Sequence, residues 1–105
     1  MRYRRFGKTE MLLSVFSLGA MRYLESADNA YRTILRALEV GINHIETAQG
    51  YGKSEEFIGR AMQNGLSKQR DRFYLTTKIS PTPDADSMRR QIEQSLKKMN
   101  VDYID

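Results

Sequence analysis

From residue 14 onward, short apolar runs alternate with stretches in which apolar side chains return every three or four positions. The runs cover Ser14 to Leu18, Ile42 to Ala48, Phe73 to Lys78 and Val101 to Asp105. They recur at roughly the 30-residue spacing of a strand-helix-strand unit. Between them the pattern predicts three helices. The first begins after Ser26, keeps Ala27, Ala30, Tyr31, Ile34 and Leu38 on one face, and stops at Gly41, which suits a left-handed cap. The second runs from Glu55 to Asn64 with Phe57, Ile58, Ala61 and Met62 as its apolar stripe and Gly65 as its stop. The third follows the turn Pro81-Thr82-Pro83-Asp84 and carries Met88, Ile92, Leu96 and Met99 at helical spacing. Such stripes, methionines included, are the packing faces of helices on a sheet. Ahead of them, Tyr3 to Phe6 and Met11 to Leu13, separated by Gly7-Lys8-Thr9-Glu10, read as a hairpin. The plan is α/β with a parallel sheet.

Length and composition narrow this picture. A closed barrel of eight strand-helix units needs roughly 200 to more than 400 residues, so a chain of 105 residues cannot hold one. With no cysteine, a disulfide framework or a Cys-based metal or iron-sulfur site within this stretch is excluded, and a reducing cytoplasmic location is compatible. The basic start, Met1-Arg2-Tyr3-Arg4-Arg5, lacks the apolar run of a secretory signal. No apolar run of about 18 residues exists, so no membrane span is expected. The net charge of +4 comes from scattered groups: Arg2, Arg4 and Arg5, then Lys68, Arg70 and Arg72, then Arg89, Arg90, Lys97 and Lys98. Aromatic residues are not interleaved with them as a nucleic-acid stacking platform requires, so these charges are expected on a solvated surface.

Candidate chemistry concentrates in Gly41 to Glu55. Ile42, Ile45 and Thr47 favour an extended run, Gly50 and Gly52 break it, and Ser54 is the expected N-cap of a helix whose first turn holds Glu55 and Glu56. Glu46 and Tyr51 therefore belong at the carboxyl end of a strand. Reducing a carbonyl needs an acid for the oxygen as negative charge develops there. A free phenol titrates near ~10, and a neighbouring cation favours its ionised form and so strengthens it as an acid. Ends of adjacent parallel strands lie about 4.8 Å apart, so Lys78, ending the next run, can be that cation, with Glu46 as its charge partner. The plainer readings are a tyrosine plugging the strand end, a solvated loop lysine and a structural acceptor. His44 shares the strand face of Glu46 by alternation and reads as packing. Gly52-Lys53-Ser54 ends like a phosphate-binding loop, but Thr47 stands where the leading glycine belongs, and no Gly-x-Gly-x-x-Gly fingerprint occurs.

The wording of these segments resembles the aldo-keto reductases. That family's signature is a glycine, a short strand ending in Asp-Thr-Ala or Asp-Ser-Ala, then a tyrosine and a serine- or asparagine-glutamate pair. Phe73-Tyr74-Leu75-Thr76-Thr77-Lys78 is similar to its next strand with the active-site lysine, and Val101-Asp102-Tyr103-Ile104-Asp105 to the start of the strand bearing its active-site histidine. Tyr3 to Thr9 is similar to its opening hairpin, which closes the bottom of the barrel. The resemblance implies residues 1–105 as the amino-terminal part of a single (β/α)8 TIM-barrel domain: the hairpin, three βα units and the start of a fourth strand. It implies an oxidoreductase reducing small aldehydes or ketones, with NADPH as cofactor and NADH as the alternative. It assigns Tyr51 as proton donor, Lys78 as the lysine and Glu46 at the position of the family aspartate, bordering both catalysis and cofactor. Gly19, Ala20 and Met21 match the position beside the nicotinamide. Glutamate in place of aspartate resembles the branch with a carboxy-terminal ferredoxin-like domain, whose iron-sulfur cluster would lie outside this chain. A non-catalytic cofactor-sensing or scaffold relative is the alternative, and exposed sheet edges would favour self-association.

Overall fold

The computed structural model describes residues 1–22 and 25–105. Strands β1 (Tyr3–Arg5) and β2 (Leu12–Ser14) form the antiparallel hairpin, with Tyr3 opposite Ser14. A parallel sheet follows, ordered β3 (Leu18–Gly19), β4 (His44–Glu46) and β5 (Tyr74–Thr76), with register Leu18 to Ile45 to Leu75. Helices α1 (Ala27–Glu39) and α2 (Ser54–Gln63) connect these strands, a 3-10 helix at Leu66–Arg72 leads into β5, and α3 (Ala85–Met99) follows it.

Alternation along β4 and β5 sorts their side chains. Ile45 and Leu75 are fully buried and join Ile34 of α1, Ile58 of α2, Leu66 and Met99 in one core. This is the helix-covered face. His44, Glu46, Tyr74 and Thr76, one step out of phase, are only partly buried on the other face. The hairpin covers the amino-terminal end of that second face. Asn43, just before β4, makes the tie: its Oδ1 accepts from Ser14 N at 2.7 Å and its Nδ2 donates to the Leu12 carbonyl at 2.9 Å. The Tyr3 hydroxyl donates to the Gly41 carbonyl at 2.8 Å.

Helix ends follow capping chemistry with one exception. Ser26 and Asp84 accept from the backbone N–H groups of Asn29 and Ser87, and Gly41 and Gly65 take the positive φ values, 89° and 116°, that favour glycine after a helix. The exception is α2. Ser54 is not its N-cap; it is the first helical residue, and Lys53 precedes it without a side-chain cap. The Ser54 hydroxyl is instead engaged by Thr47 Oγ1 at 2.7 Å, a fully buried contact back to the end of β4.

Other expectations also shift. The run from Ser14 to Leu18 divides: Ser14 ends the hairpin, held by Asn43, and only Leu18 and Gly19 pair with β4. Val101 to Asp105 begins to pair beside β5 only at its last residue, where Asp105 N donates to the Leu75 carbonyl at 3.0 Å. Met88 and Ile92 of α3 are 46% and 39% exposed, so its packing face is confined to the carboxyl half, at Ser95 and Met99. Arg70 is no solvated charge. Its guanidinium pairs with Asp105 at 2.6 Å, donates to the Phe73 carbonyl at 2.7 Å and lies 3.9 Å from the Tyr103 ring centroid. The planar fork of donors suits arginine to such a site. Asp105 in turn accepts from Leu75 N at 2.8 Å. Among the described residues no helix is long and apolar enough to cross a membrane.

Helices α2 and α3 pack closely at Gly59. A Cβ on buried Gly59 would lie 2.0 Å from the Lys98 carbonyl oxygen. Gly59→Ala should therefore destabilise the protein by about 1–3 kcal/mol, as overpacking does. Denaturant unfolding measures this, and an unchanged midpoint would contradict so close an approach of the two helices.

Candidate active site

The parallel register carries past the strands themselves. Thr47 N donates to the Thr76 carbonyl at 2.8 Å and Gln49 N to the Lys78 carbonyl at 2.9 Å. Both chains thus leave the sheet side by side, and their side chains meet at the carboxyl rim. Glu46 Oε1 forms an ion pair with Lys78 Nζ. The same ammonium sits 4.6 Å from the centroid of the Tyr51 ring, a cation–π contact. Glu46, Tyr51 and Lys78 therefore form one cluster. The lysine side chain is 48% exposed and the glutamate 29%, so solvent screening leaves the pair worth about 0–1 kcal/mol. Its consequence is placement of charge rather than stability.

The loop carrying Tyr51 is short and internally bonded. Tyr51 N donates to the Ala48 carbonyl at 3.1 Å and Ser54 N to the Tyr51 carbonyl at 2.9 Å, while Gly52 takes φ 53°. These bonds deliver the chain directly into α2. An open cleft of about 380 Å³ lies against this loop, walled by Met21, Arg22, Tyr51, Lys53 and Phe57. At the end of β3 Gly19 pairs with Glu46; beyond it Ala20 is buried with its N–H on the Glu46 carbonyl at 2.8 Å, and Met21 reaches the cleft. A Cβ on Gly19 would meet nothing within 4 Å, so open space lies above this backbone next to Glu46.

Two residues outside the expected site also shape it. Glu55, in the first turn of α2, is 3% exposed; its Oε1 accepts from Thr77 Oγ1 at 2.7 Å, next to Lys78. Gln49 donates from Nε2 to the Gln91 carbonyl and to Ser95 Oγ, at 2.7 and 2.9 Å. Neither follows a periodicity that sequence patterns register. For a phosphate-binding loop the Ser54 hydroxyl would have to face a bound ligand, whereas here it is buried on Thr47.

His44 lies on the same face as Glu46 but two residues deeper. Its Nδ1 meets Ser17 Oγ at 2.8 Å and its Nε2 meets Thr76 Oγ1 at 2.9 Å. Burial lowers its pKa below the ordinary value, against a smaller opposing pull from Asp105.

Comparison with known proteins places this geometry among relatives. Residues 16–105 match the profile of the aldo/keto reductase family. Methylglyoxal reductase DkgA of Escherichia coli K12 is 39% identical over 88 residues, covering 84% of this chain and 31% of its own. NADPH-dependent codeinone reductase 1-5 of Papaver somniferum is 31% identical over 98 residues, covering 89% of this chain and 30% of its own. Among solved structures, an aldo-keto reductase of Bacillus halodurans superposes with a TM-score of 0.84 at 26% identity, covering 100% of this chain and 38% of that one. The chain spans about a third of the length of these curated relatives. The hairpin and parallel βα units are those of the family's TIM barrel.

The partly buried imidazole gives a pH dependence. The unfolded chain protonates His44 near its ordinary value of about 6.5, and the folded chain binds that proton less readily. Stability from this group is thus complete above about 6.5 and declines as pH falls through that value toward the depressed folded pKa. Melting temperatures between about pH 5 and 7.5 should fall less steeply with acid in His44→Gln, which can still bridge Ser17 and Thr76. Identical slopes in the two proteins would contradict a proton-excluding site.

Proposed function

The chain belongs to the aldo/keto reductase family, and from that premise we propose that it carries the proton-donor half of a site that reduces aldehydes or ketones. The observation supporting this most directly is the single cluster at the carboxyl rim, with the Lys78 ammonium 4.6 Å from the Tyr51 ring and paired to Glu46. Tyr51 donates its phenolic proton to the carbonyl oxygen as that oxygen gains charge. Lys78 places a positive charge beside the Tyr51 ring, and Glu46 keeps the ammonium at the rim. The cleft beside the Tyr51 loop receives the carbonyl compound, with Met21 and Phe57 as apolar walls.

Bound NADPH, or NADH as the alternative, would supply the hydride. The name of the Papaver relative, an NADPH-dependent reductase, supports the first choice. Gly19, Ala20, Met21 and Glu46 fit a flat ring at this position, since the space above Gly19 is open and the neighbouring carboxylate is anchored. Residues 1–105 act on this reading as the amino-terminal part of one barrel domain. By themselves they hold a proton donor without the rest of the cofactor's grip, so the isolated 105 residues turn over no carbonyl.

In the full-length protein, Tyr51→Phe should lower kcat by about 10²- to 10⁴-fold, the range for a positioned general acid, while the NADPH dissociation constant stays nearly unchanged. Equal losses of turnover and cofactor affinity would mark Tyr51 as structural. Glu46→Asp should retain more activity than Glu46→Gln, because the first keeps the charge that holds Lys78. The reverse order would remove the ion pair from the account.

A further inference from the structure

Tyr51 is separated from the end of β4 by four residues and flanked by Gly50 and Gly52, a sequence with much backbone freedom. Proton donation demands the opposite, a hydroxyl held to a fraction of an ångström. Backbone bonds within the loop account for part of the restraint. A further tie is Gln49, whose main chain and side chain act in different directions.

We propose that Gln49 is the positioning residue for Tyr51, a latch that fixes the proton-donor loop to both β5 and α3. Its backbone N–H holds the Lys78 carbonyl at 2.9 Å, which keeps the tyrosine and lysine loops in register beyond the sheet. Its side-chain N–H groups reach across to α3, one to the Gln91 carbonyl at 2.7 Å and one to Ser95 Oγ at 2.9 Å. Ser95 is fully buried, so that acceptor sits in a fixed, water-poor position where a hydrogen bond is firm. One residue, two positions before Tyr51, thus joins three elements, and both donors of its amide are used. A carboxylate of the same size cannot donate to either acceptor and would face the Gln91 carbonyl with like charge.

The inference rests on the reading of Tyr51 as proton donor, and the test separates the two. In the full-length protein, kcat, KM, NADPH affinity and the solvent deuterium isotope effect are measured for Gln49→Glu, Ser95→Ala, their double variant and Tyr51→Phe. Gln49→Glu should lower kcat about 10- to 100-fold, as expected for a displacement of about 1 Å, with KM and cofactor affinity nearly constant. The isotope effect on kcat should rise, because proton transfer from a displaced hydroxyl becomes rate-limiting. Ser95→Ala, which keeps its Cβ and removes one acceptor, should show a weaker form of the same change. The double variant should be no worse than Gln49→Glu, the non-additivity of a shared contact. Loss of activity in Tyr51→Phe with an unchanged kcat and isotope effect in Gln49→Glu, even if its melting temperature falls, overturns the latch alone. Full activity in Tyr51→Phe overturns the donor assignment and the latch with it.

Discussion

The in-register parallel pairing of β4 with β5 is the constraint from which the site follows. Glu46 lies opposite Thr76, and the two chains remain paired through Thr47 to Thr76 and Gln49 to Lys78 as they leave the sheet. In a parallel sheet every strand ends at the same edge, so whatever follows the strands converges there. A slip of one residue would turn Ile45 out of the core and Glu46 into it. The burial of Ile45 beneath the helices and the presentation of Glu46 at the rim are therefore one choice, made once.

The energetic division of labour follows from the same alternation. Apolar contacts among Ile34, Ile45, Ile58, Leu75 and Met99 hold helices to sheet, and the close approach at Gly59 sets how near α2 and α3 can lie. The charged groups of the rim are too exposed to add much stability. What they require is direction, and buried polar contacts behind the rim provide it. Thr47 with Ser54, Thr77 with Glu55, and Gln49 with Ser95 each join a strand end or its loop to a helix. Of the rim cluster, Tyr51 also lines the open cleft beside its loop.

Much of this was legible in the sequence. The spacing of apolar residues identified three helices, and Gly41, Gly65, Ser26 and Asp84 marked ends that the structure places within a residue or two. Glu46, Tyr51 and Lys78 were readable as neighbours because strand ends in a parallel sheet share an edge. What escaped was chemistry carried by single polar side chains over long sequence separations. Asn43 to Ser14, Gln49 to Ser95 and Arg70 to Asp105 leave no period in the chain, and an arginine between Lys68 and Arg72 reads as solvated until its aromatic and carboxylate partners are placed. Ser54 looked like a helix cap because capping is a local rule, whereas its hydroxyl was claimed by Thr47 from the preceding strand. Val101 to Asp105, read as the start of a fourth strand, does begin to pair beside β5: Asp105 N donates to the Leu75 carbonyl, and its carboxylate accepts from Leu75 N and Arg70.

The central claim is spatial: the Tyr51 hydroxyl meets the carbonyl oxygen at the carboxyl rim. A crystal structure of the full-length protein with NADPH and a tightly bound unreactive ketone tests it directly. The account predicts the Tyr51 oxygen within about 2.6–3.2 Å of the carbonyl oxygen, with Lys78 and Glu46 still paired beside it. A carbonyl bound away from this rim, or one whose oxygen contacts a different acid while Tyr51 stays out of reach, would contradict it.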